Sequence, residues 1–167
     1  MKWTGTGVNT KIPHGLSAAP ELIISKNIDT AANDGWPVYH SAIGNDHTFF
    51  LNTTAAKTST GGTWGSTSPT STVFTVQDND SNNQSGDEII AYCFHSVTGY
   101  QKIGSYTGDG NNDRAVTTGF KPDFVLIKST VGSDNWRLYD TRRGIVEGGY
   151  LEPNRDDADD TSNAPNL

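Results

Sequence analysis

Apolar residues occur along this chain in short runs separated by polar turns, and one run occurs twice. Pro20-Glu21-Leu22-Ile23-Ile24-Ser25-Lys26 and Pro122-Asp123-Phe124-Val125-Leu126-Ile127-Lys128 share one layout: proline, acid, branched or aromatic residues, lysine. An unbroken run of this kind predicts a strand covered on both faces. The proline fixes its start, since proline is tolerated at a strand's first position or on an edge. The landmarks that follow also match. Trp36-Pro37-Val38-Tyr39 is answered by Trp136-Arg137-Leu138-Tyr139, Gly44 by Gly144, and Phe50-Leu51-Asn52 by Tyr150-Leu151-Glu152. Upstream, Thr4-Gly5-Thr6-Gly7 is echoed by Thr107-Gly108-Asp109-Gly110, and Gly15-Leu16 by Gly119-Phe120. The offset is 102 at the prolines (122 − 20) and 100 at the tryptophans (136 − 36), a slip of two residues between them. So many ordered landmarks predict an internal duplication. Residues 1–98 form one unit and residues 99–167 a second, truncated copy.

The rest of the pattern is equally short in period. Strands are expected at Met1–Gly7, Ile12–Leu16, Trp36–His40, Thr48–Asn52, Thr72–Val76 and Glu88–Phe94, the last a central one. Thr53–Ser71 is polar, with Trp64 in its middle suggesting a loop tied to the body. Asp78–Asp87 reads as an exposed turn. No stretch sustains the 3.6-residue period of a long helix. The prediction is an all-β chain of tandem antiparallel β-sandwich units, jelly-roll-like. The second unit has no counterparts of the Val73–Val76 and Ile89–Phe94 strands. Three outcomes are expected to compensate: the chain continues past Leu167, a neighbouring chain supplies strands, or the first unit's sheet covers the second.

Composition narrows the function classes. Apolar residues make up 33%, or about 44% once the 18 glycines are added (18/167 ≈ 11%), enough for a modest core. The net charge of −7 without a Lys/Arg cluster disfavours nucleic acid as a partner. No apolar run approaches a membrane span, so no membrane insertion is expected. Cys93, the one cysteine, leaves no internal disulfide and reads as a buried, inert thiol.

Candidate chemistry is sparse. Glycoside hydrolysis needs two carboxylates across a cleft, but the glutamates are only Glu21, Glu88, Glu147 and Glu152, and two of them stand at strand starts. No Gly-x-Ser-x-Gly elbow is present, and His14, His40, His47 and His95 show no metal spacing. No catalytic residue, metal site or cofactor is assigned. The alternating Asp/Asn oxygens of Asp78–Asp87 suit calcium but fail the EF-hand pattern. Recurrence of Trp36/Tyr39 as Trp136/Tyr139 points to core packing. Trp64 has no counterpart, so it is the better candidate for an exposed contact. With Asp78 and Asp80 it forms the expected ligand-binding set.

The landmarks resemble a known family. Tyr-Thr-Gly-Asp-Gly (106–110), Thr-Gly-Phe-Lys-Pro-Asp-Phe-Val-Leu-Ile-Lys (118–128), Trp-Arg-Leu-Tyr-Asp-Thr-Arg-Arg-Gly (136–144) and Tyr-Leu (150–151) look like a domain repeated in virion proteins of tailed, especially marine, bacteriophages. The first copy has the sister pattern, including Ala-Pro-Glu-Leu-Ile-Ile-Ser-Lys-Asn (19–27) and Trp-Pro-Val-Tyr-His-Ser (36–41). The resemblance covers nearly the whole chain and implies a concanavalin-like or laminin-G-like sandwich. It implies a non-enzymatic structural role in a tail fibre or tail-associated adhesin, with capsid decoration and glycan binding or degradation as alternatives. The implied location is the virion, assembled in the host cytoplasm. The implied partners are other virion proteins, further copies of the chain, and a host surface glycan.

Overall fold

The computed structural model describes residues 1–29, 35–59, 63–65, 67–111, 114–143 and 149–156. Gly144, Glu147 and the tail 157–167 lie outside the described residues. Among the described residues ten strands form: β1 (Lys2–Thr4), β2 (Thr10–Pro13), β3 (Leu22–Asn27), β4 (Pro37–His40), β5 (His47–Phe50), β6 (Thr58–Ser59), β7 (Val73–Val76), β8 (Glu88–Phe94), β9 (Phe124–Ile127) and β10 (Arg137–Asp140). A 3-10 turn follows at Thr141–Arg143. The described chain is therefore all-β. It consists mainly of one antiparallel six-stranded sheet in the order β1-β8-β3-β4-β5-β6, with the two-stranded pairs β2–β7 and β9–β10 beside it.

Beta-branched and aromatic residues suit a pleated, half-buried surface, and the two longest runs take the middle of the large sheet. β3 pairs with β8 from Leu22 opposite Phe94 to Asn27 opposite Ile89. Alternation then sorts their side chains. Ile23 on β3 and Ala91 and Cys93 on β8 point to one face, and Ile12, Phe74 and Val76 of the β2–β7 pair close over it. Tyr39, Trp3 and Trp64 complete this core. Its rings meet edge to face, Trp3 with Phe74 at 5.9 Å and Tyr39 with Trp64 at 6.0 Å, a geometry favoured by the ring quadrupole.

The opposite face presents Leu22, Ile24, Val38 and Phe49, and the β9–β10 hairpin brings Leu126 and Trp136 against it. Burying these side chains is the main favourable term in joining hairpin and sheet. Polar ties fix the seat: Lys128 Nζ donates to Thr54 O at 3.1 Å and lies 6.0 Å from the Phe49 ring centroid.

The two hairpins have the same register. Leu22, Ile23 and Ile24 lie opposite His40, Tyr39 and Val38; Phe124, Val125 and Leu126 lie opposite Asp140, Tyr139 and Leu138. Their closing bonds correspond. Ser41 N–H donates to Glu21 O at 2.8 Å, and Thr141 N–H to Asp123 O at 2.9 Å. Trp36 N–H donates to Asn52 Oδ1 at 2.9 Å, and Trp136 N–H to Asn154 Oδ1 at 2.8 Å. These positions correct one expectation. Val38 pairs with Phe49 and Leu138 bridges Leu151, so Leu151 answers Phe49 (151 − 49 = 102) and not Leu51. The offset thus returns to 102 after the Trp–Tyr segment, so the slip between the prolines and the tryptophans is reversed downstream. Matching residue types misled here because both strands place a leucine near the turn, whereas the ladder fixes the true partner.

Candidate functional site

The segment between β7 and β8 carries most of the polar side chains that the sequence offers for binding. It is organised inward. Asn79 Oδ1 accepts Ser81 N–H at 3.0 Å, and Asn79 O accepts the N–H groups of Asn82 and Asn83 at 3.2 and 2.8 Å. This Asx-type turn drives the next two amides into the body. Asn82 and Asn83 are both completely buried. Asn82 Nδ2 donates to Thr63 O at 2.9 Å, Asn83 Nδ2 donates to Val8 O at 2.7 Å, and Asn83 Oδ1 accepts Thr6 N–H at 3.1 Å. Asn27, buried at the end of β3, donates from Nδ2 to Asp80 O at 2.9 Å and Asp87 Oδ2 at 2.8 Å. Its Oδ1 accepts Asp29 N–H at 3.1 Å. Buried amides are retained where such partners exist. Gly5 is required beside them, since a Cβ there would overlap the Gln84 carbonyl oxygen.

Two expectations change as a result. Residues 78–87 are not simply an exposed turn: their middle is a plug of bonded amides, polar by sequence yet internal. Trp64 does tie its loop to the body, but by complete burial and not as an exposed contact. It is 2% exposed, and its indole N–H donates to Thr48 Oγ1 at 3.0 Å. It offers no ring face to a ligand. Asp78 and Asp80 remain exposed on the rim of the plug, so the three candidate ligand residues do not gather into one surface site. Among the described residues, no three His, Cys, Asp or Glu side chains are grouped so as to hold a metal ion.

A second polar cluster lies where β8 leaves the sheet. Glu21, just before β3, accepts Ser96 N–H on Oε2 at 2.5 Å. Burial pushes the Glu21 carboxyl up, but the Ser96 hydrogen bonds, with the charges of Lys102 and His95, outweigh it and hold it below its ordinary value. His95 Nδ1 lies 2.8 Å from Ser96 O, so it donates there and leaves Nε2 to accept from the Ser17 hydroxyl at 3.3 Å. This Ser–His contact is long and open to solvent, and its histidine is oriented by a main-chain carbonyl while the nearby carboxylate serves Ser96. It acts as a latch between strand ends. In the β9 hairpin, Asp123 instead takes Thr141 Oγ1 at 3.0 Å and Arg142 Nη2 at 3.2 Å.

Sequence reasoning overlooked the exposed aromatics. Tyr92 is 51% exposed on the face of β8 beyond the hairpin's cover, and Phe124, Tyr100 and Tyr106 are also exposed. The signal was present for Phe124, because its alignment with half-buried Leu22 should have raised the question of what covers it. Met1, His14, Tyr92, Cys93 and Phe94 line a shallow open cleft. Burial pushes the Cys93 thiol up to about 11, so it is protonated and unreactive there.

A family model described as a domain of unknown function, DUF7483, matches residues 1–167. No curated protein and no solved structure matches the chain.

Proposed function

The chain belongs to the DUF7483 family, whose description assigns no activity, and we propose that it is a non-enzymatic structural module of a tailed-bacteriophage virion. In this reading it is built of tandem antiparallel β-sandwich, jelly-roll-like units. It serves in a tail fibre or tail-associated adhesin for host attachment, displaying loops from a stiff body. The supporting observation is the common register of the β3–β4 and β9–β10 hairpins, packed against each other in one chain. The bonded amides of residues 79–83 add support, because they hold a polar loop rigid in a way suited to presentation. The sequence resemblance supplies the virion setting. Its partners would be other virion proteins and further copies of the chain, with a host surface glycan as the attachment target.

Gold-labelled antibody against the purified chain, applied to intact particles, tests this reading. Label on the tail, together with blocked adsorption to host cells, is expected. Label on the head exterior would replace the tail assignment with capsid decoration. Release of reducing ends from host surface polysaccharide by the purified chain would overturn the non-enzymatic reading.

A further inference from the structure

β3 and β9 occupy the same place in matched hairpins but differ at their second edge. One edge of β3 is paired with β4 and the other with β8 along six residues, Leu22 to Asn27. One edge of β9 is paired with β10, the counterpart of β4; its other edge carries no strand among the described residues. Main-chain N–H and C=O groups at such an edge form a ready template for another strand. Phe124, at the head of β9, is 57% exposed, while Val125, Leu126 and Ile127 are only half-buried. The acid before each strand shows the same difference. Glu21 grips Ser96, just past β8, whereas Asp123 turns to Arg142.

We propose that the free edge of β9 is a strand-acceptor site, filled by an extended antiparallel segment of the β8 type supplied by another polypeptide. The matched register specifies its chemistry. Phe94 and Cys93 lie opposite Leu22 and Ile23, and Tyr92 and Ala91 lie opposite Ile24 and Ser25. The incoming segment therefore places an aromatic opposite Phe124, a small residue opposite Val125, an aromatic opposite Leu126 and a small residue opposite Ile127. Main-chain hydrogen bonds give the affinity, and this alternation gives the register. The inference does not depend on the virion setting and survives if that setting fails.

The probe is a synthetic peptide with the sequence of Asp87–His95, added to the full 167-residue chain. Hydrogen exchange of the amides in residues 124–129 is expected to slow by about tenfold or more at saturation. A peptide with proline replacing Tyr92 is expected to bind at least about tenfold more weakly, having lost a ladder donor. Register is read by disulfide trapping in a Cys93→Ser background. A Val125→Cys chain should capture the peptide's cysteine, while Leu126→Cys, on the other face, should not. Unchanged exchange at residues 124–129 would overturn the proposal. So would protection confined to β1 or β6, equal trapping at positions 125 and 126, or self-pairing of β9 between copies that the peptide fails to displace.

Discussion

Trp136 meets Phe49 edge to face, with ring centroids 5.7 Å apart and planes at 80°. The same indole donates its N–H to Phe50 O at 2.9 Å. One side chain thus fills the apolar seam between sheet and hairpin and satisfies a carbonyl at its rim. Trp136→Ala is expected to cost about 3–5 kcal/mol, the range for emptying a buried large aromatic site. Trp136→Phe keeps most of the packing and loses the hydrogen bond, so about 1 kcal/mol is expected. Urea unfolding followed by circular dichroism would measure both, and equal losses for the two variants would contradict the division between packing and bonding.

The amide plug makes a second prediction. Asn83→Ala removes the donor to Val8 and the acceptor for Thr6 and leaves a buried hole; about 1–3 kcal/mol of destabilisation follows. Exchange of the Thr6 amide, whose N–H the Asn83 side chain accepts, should rise more than that of β3. Gly5→Ala forces a methyl group into the Gln84 carbonyl and should cost about 1–3 kcal/mol through displaced backbone. A Gly5→Ala chain with unaltered melting would show that the segment yields easily.

His40 sets the response to mild acid. Burial lowers its pKa from the ordinary 6.5, and Glu21 and the Gly104 backbone oppose this only in part. Its Nδ1 accepts Ala42 N–H at 3.1 Å, a bond that the neutral ring makes. The unfolded chain therefore takes up this proton first. The stabilisation is complete above pH 6.5 and is lost as the pH falls through the lowered value. Glu21, also held below its ordinary 4.5, adds a second loss at lower pH as its carboxylate is protonated. Melting temperature should fall from pH 7 to pH 5, and His40→Asn should flatten that slope. Asn can still accept from Ala42, much as Asp140 Oδ1 accepts Arg142 N–H at 2.9 Å in the other hairpin. An unchanged slope in the variant would remove His40 as the cause.

Cys93 should resist alkylation. Raised to about 11 from an ordinary 9.0, it has about 100-fold less thiolate at neutral pH than an unperturbed thiol. Iodoacetamide at pH 7.5 should modify the native chain far more slowly than the urea-unfolded chain. Equal rates would mean that the thiol is neither screened nor shifted.

Where the chain forms strands was largely readable, for a physical reason. Leu22–Ile24, Phe74, Val76 and the inward-facing Ala91 and Cys93 of β8 come from apolar runs that are stable only against covered faces, and they line the cores. The matched landmarks set Ile23 beside Val125 and Tyr39 beside Tyr139 as equivalents, and the ladders that join Ile23 to Tyr39 and Val125 to Tyr139 are supplied by the structure. Candidate contact residues were poorly readable. Trp64 sits in a polar tract, so nothing local distinguishes an exposed ring from one drawn inward by Phe74, Tyr39 and Thr48. Asn82 and Asn83 look like solvent-facing residues because the carbonyls that accept from them, on Thr63 and Val8, are distant in sequence. β6, only Thr58–Ser59, is held by its neighbour β5 and has no apolar signature of its own.

Ile24 and Val38 share a register position with Leu126 and Leu138, and it is Ile24 and Val38's face of the sheet that receives Leu126. Like surfaces that usually meet only when two molecules collide are here tethered on one thread. Their encounter no longer depends on how many copies are nearby, so dilution leaves this contact intact.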